Sequence, residues 1–580
     1  MIYKVAVLGA GSLFVCASGL AAVKECLAQG LDVVCFDQEP NIGGLWRYKL
    51  LRDGQDTCSS IYESTIMNSS KDMLAFSDFP VPREWPTFLP HRFVVEYLRM
   101  YCDRFDLKKH IKFNHKVHSV VAEIDGAGNP TGRWCVAIQK LYPMKPKRRS
   151  SATGGLPVKP SDSEKDSTFD ESHLYSDPHT TTPISVSGTS RQRHNSNPRS
   201  DLSSESILHG QFHATDPNTA EPHDSMCSDD SDKSIPNGHS LLYDEIATST
   251  FDFVIVCTGH HWKPLFPDYG GMDRFQGKIM HSHLYRVPYP FKDQRVLVVG
   301  VGSSGAEIAS ELSHHASQVL LSVRTENLVT LHYGDLEKYG LKPQHKFSES
   351  QPTISSNLLD RIVSGNIVIR PNISYFSGKN TIVFEDGTEE YVDAVIYCTG
   401  YQIGNPFLNF QTISGQEDSG SNRLRLYKHV FPPDHPNMAF VGMVQSGGGI
   451  IPVAEMQARW IAQIFSGNAT PLPSSTVMRD QMDLAWISHC TKYLPRERLA
   501  IHIDYVDYME ELAKQIGCGP NLAGLWMTDW RLAVLIVFGP VVASQYRLNG
   551  PGKWDGAEKA IKYACRNIGL LKILAPGSDL

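Results

Sequence analysis

RVLVVGVGSSGAEIASELSHHASQVLLSVR, residues 295–324, decides the fold. The apolar run VLVV leads into Gly300-x-Gly302-x-x-Gly305, and the helix-like AEIASEL follows at once. Glycines at this spacing let the chain turn tightly after a strand and approach a pyrophosphate, whose charge then rests on the helix N-terminus. Three such glycines alone are weak evidence; a strand before them and a helix after them make the stretch a dinucleotide-binding turn. Ser303 and Ser304 complete its candidate phosphate contacts. The next strand, VLLSV, ends at Arg324, where an NAD-binding unit would carry an acid for the ribose. A guanidinium there suits a 2′-phosphate, so NADPH is expected.

This turn is a ruler for an earlier one. GAGSLFVCASGLAA, residues 9–22, follows the apolar run VAVL and opens with Gly9-x-Gly11, but Phe14 stands where the third glycine is due. Gly19 lies as far from Asp37, at the end of the strand-like VVCFD, as a third glycine should. Gly19 is therefore read as the third glycine, and the extra residues fall within SLFVCAS. Asp37 is then placed for the ribose hydroxyls of a second dinucleotide, and FAD is the expected occupant. A secretory signal is the competing reading of this N-terminus; the glycines that interrupt its apolar run, and the strand that follows, argue against it.

The chain has 580 residues, 41% of them hydrophobic and 20% charged, enough for two or three domains with full cores. A net charge of −7 and the absence of a basic block large enough for the purpose give no reason to expect a nucleic-acid partner. Twelve cysteines stand singly, without CxxC or metal-like His/Cys spacing, which suits free thiols, and no metal site is expected. The longest late apolar run, LAVLIVFGPVVA at 532–543, is short for a bilayer and contains Gly-Pro, so it is expected to be a core helix and its following loop.

The expected fold is α/β, with two Rossmann-like dinucleotide-binding domains, the FAD domain interrupted by an NADPH domain, and a long disordered insertion. Residues 1–141 form the first part of the FAD domain. Residues 142–247, rich in Ser, Asp, His and Pro, are too poor in apolar side chains to offset their ordering entropy. The insertion joins two strand-like runs, RWCVAIQK and FDFVIVC, and a long loop there costs only logarithmically with length. Residues 248–292 continue the FAD domain and hold the linker between the two units, 293–392 form the NADPH domain, 393–470 return to the FAD domain, and 471–580 are helical.

Between the two units stands FQGKIMHSHLYR, that is Phe275-x-Gly277-x-x-x-His281-x-x-x-Tyr285-Arg286. It resembles the identifying sequence of the flavin-containing monooxygenases; Baeyer–Villiger relatives carry Trp at the place of Tyr285. A disulfide reductase, the other two-dinucleotide class, needs a CxxxxC pair that is absent here. The resemblance extends along nearly all of the ordered chain. NIGGLWRY, with Gly43, Gly44, Leu45 and Trp46, is similar to the family's second FAD motif. The segment around Asn68 and Ser69 is similar to its Asn-Ser-Ser-Lys stretch, YCTGY (398–401 with Tyr397) to its ATGY strand end, and SQYRLNGPGKW (544–554) to its C-terminal signature.

The resemblance implies that NADPH reduces FAD, that dioxygen adds at the flavin C(4a) position as a hydroperoxide, and that an amine nitrogen or sulfide sulfur of a small molecule takes the distal oxygen. Asn68 would be the catalytic residue, lying over the flavin beside the nicotinamide, and Gln445 would join the cofactor contacts. His281 is read as structural, and His260-His261 and His314-His315 as exposed or packed pairs. Location at the cytoplasmic face of the endoplasmic reticulum is implied, with peripheral membrane contact or a cytosolic place as alternatives, because the chain stops at KILAPGSDL without a hydrophobic tail. The chain departs from the family in the extra residues of its first glycine turn, read as a bulge or an intron remnant, and in a shortened segment after Arg324. Other readings are an uncoupled NADPH oxidase, a Baeyer–Villiger-type activity, or a non-catalytic protein with a defective FAD loop. In the insertion, Arg193-His-Asn-Ser196-Asn-Pro198 has a form that phosphoserine-reading adaptors accept.

Overall fold

In the computed structural model the described residues are 2–9, 15–50, 60–142, 246–261, 263–324, 357–409, 424–494 and 499–566, with residues 349, 353, 355 and 413. They belong to one compact unit, Met1–Pro143 with Leu242–Leu580; the second unit, Met144–Leu241, lies outside them. The expected insertion, with Ser196, therefore lies outside the described residues.

The first nucleotide unit starts with β1 (Lys4–Leu8), α1 (Val15–Ala28) and β2 (Asp32–Phe36). β3 (Ile66–Ser70), α2 (His91–Arg104) and β4 (Ile111–Lys112) follow. Three antiparallel strands, β5 (His115–Ile124), β6 (Pro130–Lys140) and β7 (Ala247–Phe251), come next, then β8 (Phe253–Val256). β6 and β7 are hydrogen-bonded neighbours, with Trp134 opposite Phe251; the strand after the Ser-rich stretch is thus Ala247–Phe251, and the expected FDFVIVC run instead supplies β8 of the parallel sheet beside β1.

The second unit comprises β9 (Lys278–His281), β10 (Arg295–Val299), α3 (Ser303–Leu312), β11 (Gln318–Ser322) and β12 (Ile367–Arg370). A second antiparallel trio, β13 (Ile373–Phe376), β14 (Thr381–Phe384) and β15 (Glu389–Tyr391), leads to β16 (Ala394–Tyr397). The chain then returns through β17 (Met438–Phe440) and α4 (Ile450–Ser466). It closes with α5 (Ser475–Lys492), α6 (Tyr505–Ile516), α7 (Leu522–Thr528), α8 (Trp530–Phe538) and α9 (Ala557–Cys565).

The two units share one plan. The first has a parallel sheet in the order β17-β8-β1-β2-β4, the second a parallel sheet in the order β9-β16-β10-β11-β12. Val5 to Leu8 are fully buried because both sheet faces are covered, which is why these strands read as continuous apolar runs. Alternation along β1 sends Val5 and Val7 into a core with α1, α2 and α4, and Ala6 and Leu8 into another with Trp134, Val136 and Phe251 of the antiparallel sheet. β10 repeats this: Val296 and Val298 face α3, Leu297 and Val299 face Ile373, Ile382 and Phe384.

The α/β expectation with two dinucleotide folds holds, but two domain boundaries move. β16, expected to open the return to the first domain at residue 393, pairs with β10 in the second sheet, and the return comes with β17. Lys278–His281, expected within the linker between the two units, is the outer strand of the second sheet. An apolar run shows that a strand is buried, not which sheet receives it. α8 is also only half a core helix: Leu532 and Leu535 are buried, while Phe538 is 66% exposed.

Candidate functional site

In the second glycine turn each glycine has its own physical reason. Gly300 has φ 99° and donates its N–H to Ser322 O at 2.9 Å, closing the turn on the next strand. A Cβ on Gly305 would stand 1.9 Å from Gly300 O, so only glycine lets α3 pack this close. Gly302 has neither excuse. Its φ is −64°, and a Cβ there would meet no protein atom within 4 Å. Its bareness leaves room for something that is not protein, at the N-terminus of a helix whose first N–H groups are free to bind an anion.

Gly300, Gly302, Ser303, Ser304, Arg324 and Gln445 all line one cleft of about 790 Å³. Arg324 is exposed at the end of β11, with no acidic group within 4 Å of it among the described residues. Gln445 comes from the segment after β17, and its backbone N–H donates to Ile501 O at 2.8 Å. The rest of the wall was not foreseen as a site: His260, His261, Ser282, Cys398 and Tyr401 also face the cleft. The Tyr401 ring stacks on His261 at 4.8 Å and meets His281 edge-on at 5.2 Å. Burial holds His260 down at about 4 and lowers His261 well below its usual value, so the cleft histidines are uncharged at neutral pH. The pair 260–261 is packed, as one of its two readings allowed; the strand end YCTGY was the signal that could have placed Tyr401 here.

The first glycine turn is described at its ends. Gly9 has φ 93° and donates to Phe36 O at 2.8 Å, the counterpart of Gly300 on Ser322. Leu8 pairs with Phe36 as Val299 pairs with Ser322, and Gly19 precedes Phe36 by the same 17 residues that separate Gly305 from Ser322. Gly19 is thus in register with Gly305 and is buried in α1. α1 starts at Val15, four residues before Gly19, whereas α3 starts two residues before Gly305, so part of the extra sequence lengthens the helix. Gly11 and residues 10–14 lie outside the described residues.

Asp37 follows β2 and is 1% exposed. Its Oδ1 accepts the Glu39 N–H at 2.8 Å, while Oδ2 is buried with no hydrogen-bond partner. Burial pushes this carboxyl up to about 8, against the pull of the Glu39 N–H and nearby Lys49 and Arg47. A buried acceptor left open at the end of the second strand is what a ribose hydroxyl would satisfy, so the residues here fit FAD. Beyond it Gly43 (φ 127°) and Gly44 (φ 48°) make a turn that side chains rarely adopt, leading into the single helical turn Gly44–Trp46, in which Leu45 is buried.

Asn68 and Ser69 sit on β3. Asn68 is exposed, has no side-chain partner among the described residues, and is not part of the cleft lining. Lys71, next in that motif, is buried and donates to Pro82 O at 2.8 Å and Arg83 O at 2.6 Å, a structural role.

The 275–286 motif staples the two units. Phe275 packs on Phe376 at 5.2 Å, and a Cβ on Gly277 would stand 2.5 Å from Asp393 O. His281 bonds Gly400 O through Nε2 at 3.1 Å and takes the His283 N–H on Nδ1, confirming its structural reading. Tyr285 donates to Glu311 of α3 and meets the Tyr62 ring edge-on at 5.6 Å. Tyr62 itself donates to Glu307 of α3, and Arg286 donates to Lys49 O at 3.0 Å. Segments of the first unit are thereby fixed to the helix that carries the second glycine turn. Tyr62, Glu307 and Glu311 were not foreseen, because their partners are far away in sequence.

A carboxylate cluster of metal-like geometry, Glu25, Asp78 and Glu455, is taken up by Arg547 and Lys24. Arg547 belongs to the C-terminal signature.

Comparison with known proteins follows the same lines. The chain matches the family described as flavin-binding monooxygenase-like over residues 2–145, 243–335 and 327–573. It is similar to flavin-containing monooxygenase 5 of Homo sapiens, 32% identical over 96% of this chain and 91% of that protein. It is 31% identical to dimethylaniline monooxygenase (N-oxide-forming) 2 of Rattus norvegicus, over 97% of this chain and 91% of that one. Among solved structures, S-allyl-L-cysteine S-oxygenase from Allium sativum shares its fold, with a TM-score of 0.58 at 22% identity over 91% of this chain and 92% of that one.

Proposed function

This chain belongs to the flavin-binding monooxygenase-like family, and from that premise we propose that it uses NADPH and dioxygen to oxygenate soft nitrogen or sulfur atoms of small molecules. That it is a flavin-dependent monooxygenase follows from the family; the electron donor and the substrate class are the proposal. The observation that carries it is that Gly302 and Gln445 line one cleft. A dinucleotide on the second glycine turn is therefore within reach of the unit that holds the flavin.

Bound FAD supplies the redox chemistry: NADPH and a proton go in with dioxygen and substrate, and NADP⁺, water and the oxygenated substrate come out. The chain's own residues bind and enclose. The α3 N-terminus with Gly302, Ser303 and Ser304 receives the pyrophosphate of NADPH, and Arg324 its 2′-phosphate. Asp37 accepts from the ribose of FAD, and the turn at Gly43 and Gly44 lies beside it. Histidines held neutral keep the cleft wall from offering protons. Asn68, exposed and without a side-chain partner among the described residues, would bond to cofactor. The nitrogen preference is supported by the N-oxide-forming relative.

Peripheral membrane contact at the cytoplasmic face of the endoplasmic reticulum belongs to the same proposal, supported by Trp526, Met527, Trp530 and Phe538, which are 48–83% exposed on α7 and α8. No described helix is long and apolar enough to cross a membrane. Binding of a phosphoserine-reading adaptor at Ser196 rests on its sequence alone, and loss of phosphate-dependent capture in Ser196→Ala tests it.

The test of the main proposal is spectroscopic. The purified protein is expected to be yellow and to bleach with NADPH in the absence of air. On readmitting air, a tertiary amine or thioether should be oxygenated in step with NADPH consumption. Hydrogen peroxide in equal amount to NADPH, whatever substrate is present, would instead show an oxidase.

A further inference from the structure

The second sheet runs β9-β16-β10-β11-β12, so the chain leaves β10 on one side, through β11 and β12, and returns to its other side as β16. A dinucleotide lies across the crevice where strand order reverses in this way, with its pyrophosphate on the turn after the central strand. Arg324 stands at the end of β11, so the half of the nucleotide that carries the 2′-phosphate belongs on that side. The nicotinamide half then crosses toward the end of β16, where residues 398–401 stand. That strand end and the glycine turn are in contact: a Cβ on Gly300 would lie 2.8 Å from Cys398 O.

An aromatic surface occupies this place. The Tyr401 and His261 rings are 4.8 Å apart and within 25° of parallel, and both line the cleft of Gly302 and Gln445. His261 comes from the other unit, just beyond β8, whose neighbour β1 leads into the first glycine turn. The pair thus joins a strand end of the NADPH unit to a strand end of the flavin unit. Two further histidines hold Tyr401. His281 Nε2 donates to Gly400 O at 3.1 Å, and its ring meets Tyr401 edge-on at 5.2 Å. His283 meets the same ring edge-on at 6.0 Å, with its Nδ1 3.5 Å from the Tyr401 hydroxyl. The backbone is fixed as well: Leu265 N–H donates to Gly400 O at 3.0 Å, and Pro264 pairs with Tyr401 in a short antiparallel ladder. Burial pushes the Tyr401 phenol up to about 12 and lowers His261, so the surface is neutral as well as flat.

We propose that the stacked rings of Tyr401 and His261 are the surface against which the nicotinamide ring of the nucleotide packs, with His281 and His283 setting the angle of Tyr401. This rests on the reading of the second unit as an NADPH site. A flat ring gains from packing on aromatic side chains, and the oxidised nicotinamide, being cationic, gains further from the negative face of a phenol. Tyr401 and His261 lie far apart in the chain and outside both glycine turns, so their joint role is legible only from the fold.

The test is calorimetric and needs no turnover: NADP⁺ and 2′,5′-ADP, which lacks the nicotinamide half, are titrated into the full-length flavoprotein. Wild type should bind NADP⁺ more tightly than 2′,5′-ADP. Tyr401→Leu should weaken NADP⁺ about 3- to 10-fold, the worth of one aromatic contact, and leave 2′,5′-ADP unchanged. His261→Leu should move the same ratio in the same direction, and it keeps the test available if the first variant does not fold. Tyr401→Phe keeps the ring and should keep the affinity for NADP⁺; a loss as large as that of Tyr401→Leu would show that the hydroxyl acts and not the ring, which overturns the inference. Equal weakening of both nucleotides by Tyr401→Leu and His261→Leu overturns it too, since it marks a general structural role. A wild type that binds the two nucleotides equally shows that the nicotinamide gains nothing from this wall, and the inference falls while the NADPH reading stands. A wild type that binds neither overturns the NADPH reading itself.

Discussion

The hydroxyl of Tyr285 donates to Oε2 of Glu311 at 2.6 Å, and this one bond ties the family's identifying motif to the helix of the second glycine turn. Tyr285 is wholly buried, and burial with the Glu311 charge raises its phenol far above the usual range, so it stays a donor. Glu311 lies one helical turn after Glu307, which accepts from Tyr62 of the first unit. Two tyrosines from different parts of the chain thus hold one face of α3, while its N-terminus is left for the nucleotide.

Tyr285→Phe should cost about 1–3 kcal/mol of stability, because it leaves a half-buried carboxylate without its donor rather than merely deleting a contact. Denaturant unfolding of the flavoprotein reads this directly. Tyr62→Phe should cost a similar amount and should also raise the peroxide released per NADPH, since it loosens the first unit from α3. A Tyr62→Phe variant with wild-type peroxide yield would show that this bond serves stability alone.

Gly302→Ala and Gly305→Ala should fail in opposite ways. Open space surrounds a Cβ at Gly302, so the variant should fold with stability within about 0.5 kcal/mol of wild type. Its affinity for NADPH should nonetheless fall by about tenfold or more, because the methyl occupies the pyrophosphate's place. A Cβ at Gly305 overlaps Gly300 O, so that variant should lose about 1–3 kcal/mol of stability before any question of binding arises. Thermal melts and NADPH titrations on both proteins separate the two roles.

Asp37 predicts a proton released on flavin binding. In the flavin-free fold its carboxyl is held up to about 8 by burial, while unfolded it titrates at about 4. The folded protein therefore keeps a proton that the unfolded chain gives up between those values. The contribution of Asp37 to the stability of the flavin-free protein is full below about pH 4 and declines as pH rises toward about 8. Asp37→Asn should flatten that decline and bind FAD poorly. In wild type, a ribose hydroxyl on Oδ2 favours the carboxylate, so FAD binding near pH 7 should release up to about one proton. Calorimetry in buffers of different ionisation enthalpy measures it, and an enthalpy independent of buffer would rule the ribose contact out.

Much of this was legible before any coordinates, for definite reasons. The turn at Gly300–Gly305 announces itself because phosphate binding demands glycines at fixed offsets between a strand and a helix. Gly19 could be recovered from its distance to Asp37 because helix and strand lengths in such a unit are set by sheet packing, which the common 17-residue register bears out. What sequence hid was partnership. Nothing local says that β16 joins the second sheet, since an apolar strand satisfies either. Nothing local says that Tyr62 faces Glu307 or that Arg547 faces Glu25, because those pairs form only when distant segments are brought together.

Arg547 carries the last prediction. Its Nη2 lies 2.8 Å from Glu25 and 2.9 Å from Glu455, and its Nε donates to Ser77 Oγ at 2.6 Å. It thereby pins the C-terminal signature onto α1 and α4. Burial alone would raise the Glu25 carboxyl, yet Arg547, Lys24 and Arg459 overcome it and hold the group down at about 2. A carboxylate held below its unfolded value of about 4 contributes stability that is present above that pH and lost as pH falls through about 2. Arg547→Met removes the principal counter-charge and leaves Glu25 and Glu455 buried with Lys24 and Arg459 nearby, a change that typically costs about 3–5 kcal/mol at neutral pH. Burial then prevails at Glu25 in the variant, whose carboxyl rises and no longer adds to the acid limb. The stability gap between wild type and variant should accordingly be widest near pH 7 and narrow steadily below about pH 4. Urea midpoints measured across that range check the trend, and a gap that stays constant with pH would mean that Arg547 acts by packing rather than by charge.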